Sequence, residues 1–267
     1  MKLLLPIALL LLGTAEAQVA ALPPARSPAG ACGVIAPDAQ DGPIASPENH
    51  TILYEDADVR VLDVHSRPHT REAWHTHARP GVMYVDRQGP GRYMTPANPN
   101  ERVRGPDPNF TFRIFATAPE ALHATENTGD IPFHAIRVEF KHPGCNLSPR
   151  TPVVVPGPDD ALVAAPAVYT LLLENADVRV LDVHLPPHTK EPMHTDPWAG
   201  FFYILQDSPQ RRSTPDRKQP EALPLHAGEP KIVPVGAEGL HAIENVGDVT
   251  LHYIRFELKH ATPKAGA

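Results

Sequence analysis

The chain has 267 residues, with 31 acidic against 24 basic side chains for a net charge of −7, and 15 histidines besides. That length suits two domains of ordinary size, each large enough to bury its own core. The acidic balance, without any long run of Lys or Arg, provides no footprint for gripping a phosphate backbone, so nucleic acid is not an expected partner.

In chain order, Lys2, the apolar run Leu3 to Leu12 and Ala15-Glu16-Ala17 have the charge, hydrophobic core and small-x-small ending of a secretory signal. Residues 1–17 are therefore expected to be removed, leaving a periplasmic or secreted protein with no membrane span. The Pro-rich stretch 18–48 is expected to be an extended arm. Two cysteines, Cys32 and Cys145, suit a disulfide in an oxidising compartment, with a pair of buried thiols as the alternative.

Beyond the arm the chain repeats itself. Ala57-Asp-Val-Arg-Val-Leu-Asp-Val-His65 recurs letter for letter as Ala176 to His184, an offset of 119 residues. Pro68-His-Thr-Arg-Glu72 answers Pro187-His-Thr-Lys-Glu191, and Gly81 and Tyr84 answer Gly200 and Tyr203. His123-Ala-Thr-Glu-Asn127 then returns as His241-Ala-Ile-Glu-Asn245 at an offset of 118. A unit this long is a whole domain rather than a solenoid repeat, which places domains at 49–147 and 167–262 with a linker at 148–166.

Short runs bounded by Pro, Gly, Asn and Asp predict strands over Val59–His65, Val82–Val85, Arg113–Ala116 and Ala135–Lys141, and no long helix is expected. Residues 87–109 and 206–230 read as long excursions. In the last strand His134, Ile136, Val138 and Phe140 alternate with Arg137, Glu139 and Lys141. The apolar set, with His134, is expected to point inward, as a core histidine or an acid–base group. The charged set is expected to form a solvated ladder. His65, His69, His184 and His188 read as surface or capping groups.

His75-Thr-His77 stands before a β run, and residues two apart on a strand point the same way. Both imidazoles thus face one cavity, where His123 from a later segment can join them, and neutral imidazole suits several divalent metals. The second repeat substitutes Asp196, giving His194, Asp196 and His241, which is either a 2-His-1-carboxylate set or a decayed site.

On Pro68, His75, His77 and Gly81, and on His123…Asn127 with His241…Asn245, each repeat resembles the cupin domain and the whole chain a bicupin. The resemblance implies an all-β protein of two tandem jelly-roll β-barrels, with His75, His77 and His123 holding a divalent metal ion (Fe, Mn, Zn or Ni) in the first mouth. It also implies that Tyr84 sits near the metal and positions substrate. The family's glutamate would fall near Gly81 or Val82, and near Gly200 or Phe201, none of which can ligate. Three-histidine cupins without it include thiol and diketone dioxygenases. Two functions follow: a metal-dependent small-molecule enzyme, dioxygenase-like or a lyase, with His134 as acid or base; or a non-catalytic bicupin of binding or storage type. Either takes a small-molecule ligand, and homo-oligomerisation stays open.

Overall fold

The computed structural model describes residues 34–142, 157–223 and 232–259. The signal segment, both cysteines and residues 148–156 of the linker lie outside the described residues. The first repeat runs α1 (Gly42–Ala45), β1 (His50–Glu55), β2 (Val59–Ser66), β3 (His75–His77), β4 (Gly81–Arg87), β5 (Gly91–Met94), β6 (Arg102–Arg104), β7 (Arg113–Thr117), β8 (Glu120–Asn127) and β9 (Phe133–Phe140). The second runs α2 (Ala161–Ala164), β10 (Tyr169–Glu174), β11 (Val178–Leu185), β12 (His194–Asp196), β13 (Gly200–Gln206), β14 (Gln210–Ser213), β15 (Glu221–Leu223), β16 (Ile232–Val235), β17 (Glu238–Asn245) and β18 (Leu251–Leu258). Both helices are single turns, and among the described residues no helix is long and apolar enough to cross a membrane.

Each repeat is a pair of antiparallel sheets. In the first, β1-β2-β9-β4-β7 faces β3-β8-β5-β6; in the second, β10-β11-β18-β13-β16 faces β12-β17-β14-β15. The architecture is thus all-β, two jelly-roll barrels in tandem. The four strands read from composition appear where expected, with ends that differ by a residue or two. The excursions are more structured than composition suggests, because β5 with β6, and β14 with β15, form ribbons that extend the second sheet of each barrel. The repeat also begins earlier than its identities reveal. Asp41 bridges to Thr76 and pairs with Arg60 at 2.6 Å, as Asp160 bridges to Thr195 and pairs with Arg179 at 2.9 Å. The end of the arm is therefore part of the first barrel.

The alternation in β9 is real, but its faces are the reverse of the expectation. Ile136 and Val138 lie on the outside of the first barrel, in one buried cluster with Val61, Val82 and Tyr84 and with Val180, Phe201, Tyr203 and Phe256 of the second. Arg137 and Glu139 point into the barrel, 1% and 0% exposed. Period-2 patterning separates two faces without saying which neighbour covers the apolar one, and here the second barrel covers it. The interiors differ in turn. Barrel two is filled by Tyr169, Leu181, Leu185, Ile204, Ile243, Leu251 and Tyr253. At the corresponding positions barrel one has smaller or more polar groups at Ser66, Thr125 and Ala135, and a cavity of about 540 Å³ results.

Candidate metal centre

Strand β3 pairs with β8 so that His75 stands opposite His123, and a register shift brings His77 opposite Glu120. The sequence separation of 48 residues between His75 and His123 thus closes to neighbouring strands. The ring centroids of His75 and His123 lie 4.3 Å apart, those of His75 and His77 5.1 Å, and those of His77 and His123 5.7 Å. All three are buried and line the cavity.

Their hydrogen bonds decide which nitrogen is available. The Nδ1–H of His75 donates to the Ala73 carbonyl at 2.8 Å, that of His123 to the Ala121 carbonyl at 2.9 Å, and that of His77 to Glu139 Oε1 at 2.9 Å. Each Nδ1 being a donor, the Nε2 lone pair of each neutral ring is free, which is the tautomer a metal requires. Burial keeps them neutral. It lowers His75 to about 4, with help from His123; it lowers His123; and with Arg137 it holds His77 well below the ordinary value. The donor set therefore fits a divalent cation of the kind imidazole prefers.

Charged groups support the rings. Glu139 accepts from Arg60 Nε at 2.8 Å as well as from His77, and Arg137 Nη1 donates to Glu120 Oε2 at 2.6 Å. Glu72 Oε2 stands 3.8 Å from His75 Nε2, and burial pushes its carboxyl up to about 7. A fourth imidazole, His50 at the start of β1, packs at 4.5 Å from His75 and 5.1 Å from His77 between ring centroids. Sequence reasoning passed over His50 and assigned Arg137 and Glu139 to a solvated ladder, whereas both are buried beside the histidines. The one signal for His50 was an unmatched repeat position, since its counterpart is Tyr169.

The second barrel brings its three residues together differently. His194 stands opposite His241, and Asp196 Oδ2 lies 3.6 Å from the Nε2 of each. That carboxylate also meets Arg255 Nη1 at 3.2 Å. Burial alone would raise Asp196, but Arg255 and the histidines hold it at about 2. His194 Nδ1–H donates to the Pro192 carbonyl at 2.9 Å, while its Nε2 is engaged by the Tyr169 hydroxyl at 3.0 Å. Although burial opposes it, Asp196 and Glu191 raise the His194 pKa.

Two expected catalytic residues are placed elsewhere. Tyr84 does not reach the histidines: it packs in the seam between barrels, its ring 6.2 Å from that of Tyr203. His134 is on the same outer face, its Nδ1 2.6 Å from Asp86 Oδ1 and its Nε2 3.5 Å from Asp63 Oδ1. Asp86, by hydrogen bonding, outweighs burial and raises the His134 pKa. Both displacements follow from the reversed faces of β4 and β9.

No family model matches the chain, and no curated protein matches it. Among solved structures it is similar to a cupin domain from Bordetella pertussis Tohama I, at 20% identity over 34% of this chain and 91% of that one, TM-score 0.30. It is also similar to AerE from Microcystis aeruginosa, at 11% identity over 78% and 96% of the two chains, TM-score 0.46. An oxalate decarboxylase of Bacillus subtilis matches at 11% identity over 79% and 76%, TM-score 0.47. These likenesses concern fold alone. Two antiparallel jelly-roll barrels stand in tandem, each opposing a His-x-His or His-x-Asp strand to a histidine of a later strand, which is the architecture that the resemblance to a bicupin implied.

Proposed function

We propose that the first barrel is a divalent-metal site, binding Fe, Mn, Zn or Ni, that acts on a small anionic molecule, and that the second barrel is its structural companion. The observation that carries this reading is the common tautomer of His75, His77 and His123, each with Nδ1–H committed and Nε2 free beside the cavity. A cation bound there would supply Lewis-acid chemistry, holding and polarising the substrate.

The cavity wall supports an anionic substrate. Arg92, Arg102, Arg104 and Arg113 line it together with the buried Arg137. Arg137 Nη2 is buried without a hydrogen-bond partner, a donor that a substrate oxygen would satisfy. Tyr93 stacks on His123 at 5.1 Å and carries Arg102 on its ring at 4.4 Å, so the ring and the cation shape one wall. The reaction class is dioxygenase-like or a lyase. Export to the periplasm or the exterior is part of the proposal and rests on residues 1–17.

The second barrel lacks these features. Its Asp196 is neutralised by Arg255, its His194 Nε2 is occupied by Tyr169, and apolar side chains fill its interior. Metal analysis of the purified chain is expected to find one equivalent, lost in His75→Ala and kept in His194→Ala. Two equivalents, or loss in His194→Ala, would bring the second barrel into the function. Oxygen uptake and product formation with small thiols, diketones and carboxylates then test for enzymology. Silence across that panel with metal bound would favour the non-catalytic binding or storage reading.

A further inference from the structure

We propose that His50, which lies outside the repeated motifs, is a fourth metal ligand, so that the first barrel presents four imidazoles to one cation; this rests on the metal reading above. His50 is 3% exposed and lines the same cavity as the other three histidines. One ligand nitrogen from each of His50, His75 and His77 falls within 4.8 Å of the others, close enough to share an ion after small rotations of the rings. Its Nδ1–H donates to the Ser46 carbonyl at 3.2 Å, which leaves Nε2 as its free lone pair, as in His75, His77 and His123. Four rings that line one cavity, each with Nδ1–H committed to an acceptor, offer four Nε2 lone pairs to one cation.

A comparison of the two barrels supplies an independent observation. Three positions that touch in the first barrel change together in the second: Gly42 becomes Ala161, His50 becomes Tyr169, and His77 becomes Asp196. A Cβ on Gly42 would lie 3.0 Å from His77 Cε1 and 3.1 Å from His50 Cδ2. A side chain on α1 at this position would thus press on both imidazoles, which would have to give by a few tenths of an ångström. In the second barrel, where Asp196 is shorter than histidine, alanine fits and is fully buried. There the Tyr169 hydroxyl reaches across to His194 Nε2. The position on the first strand therefore determines whether that nitrogen faces a cation or a hydroxyl.

The test uses the full chain, stripped with chelator and titrated with Mn(II). Calorimetry provides the affinity, and pulsed electron paramagnetic resonance detects nitrogen coupled to the bound ion. Wild type is expected to bind one Mn(II) with four coupled imidazole nitrogens. His50→Ala, and His50→Tyr, which copies a side chain the fold already accepts at Tyr169, are each expected to weaken binding at least 10-fold and to remove one nitrogen coupling. Gly42→Ala, by crowding both rings, is expected to weaken binding in the same direction. If both His50 variants bind Mn(II) as tightly as wild type and with the same number of nitrogen couplings, while His75→Ala loses the ion, the fourth-ligand proposal is overturned and the metal reading stands. If the wild type binds no Mn(II), Fe(II), Zn(II) or Ni(II), both fall.

Discussion

Glu139 is the side chain on which the first barrel's electrostatics turn. It is fully buried, accepts the Nδ1–H of His77 at 2.9 Å, and faces Arg60 Nη2 at 2.5 Å and Arg137 Nε at 3.4 Å. It orients the imidazole and balances two buried guanidinium groups at once. Glu139→Gln is expected to lower metal affinity by about 10–100-fold, the usual cost of removing a carboxylate behind a ligating histidine. It should also destabilise the metal-free fold by about 3–5 kcal/mol, because it leaves buried cations short of an anion. Calorimetric titration and urea unfolding read the two effects separately.

His75 makes stability depend on pH. Burial, reinforced by His123, takes it from 6.5 down to about 4. Below pH 6.5 the unfolded chain accepts a proton that the folded chain refuses, so this contribution is fully present above 6.5 and is lost as pH falls toward 4. For metal-free protein, the stability difference between wild type and His75→Gln is expected to shrink by about 3 kcal/mol over that window. A difference that stays flat in urea titrations from pH 7 to 4 would contradict a neutral buried ring.

At the scale of elements, the pairing of β4 with β9 and of β13 with β18 depends on one glycine each. A Cβ on Gly81 would stand 1.8 Å from the Val138 carbonyl oxygen, and one on Gly200 would stand 1.8 Å from that of Phe256. Backbone, not a flexible side chain, is in the way, so the strands would have to part. Gly81→Ala and Gly200→Ala are each expected to cost at least the ~1–3 kcal/mol typical of overpacking, seen as a lower urea midpoint. The close approach explains why glycine stands where the family's glutamate was sought: the site has no room for a side chain. The same strands carry Tyr84 and His134 to the outer face. Alternation along β9 was legible in the sequence, but the assignment of its faces was not, because an apolar outer face buried by a second barrel reads like an apolar interior.

Over the whole molecule, the two barrels share one hydrophobic seam, with Val61, Val138 and Tyr84 from the first against Val180, Phe201 and Phe256 from the second. Phe201 is fully buried and stacks on Phe256 at 4.7 Å. A shared core couples their unfolding. Scanning calorimetry of the metal-free chain is expected to give a single transition, and Phe201→Ala, at a cost of about 3–5 kcal/mol, is expected to lower it without splitting it. Two resolved transitions in wild type would mean the seam contributes little.

Residue identities alone determined the duplication, the β-rich class, the strands, and the common facing of His75 and His77, since all of these follow from repetition and from the two-residue period of a strand, while the resemblance implied that His123 joins them. Tertiary structure decided which face of each sheet is the interior, and so removed Tyr84 and His134 from the site and brought Arg137 and Glu139 into it. It also brought His50 to the other histidines and occupied the second barrel's nitrogen with Tyr169. These outcomes depend on which surfaces meet across 25 or more residues of sequence, from His50 to His75 or Tyr169 to His194, and local patterning carries no information about that.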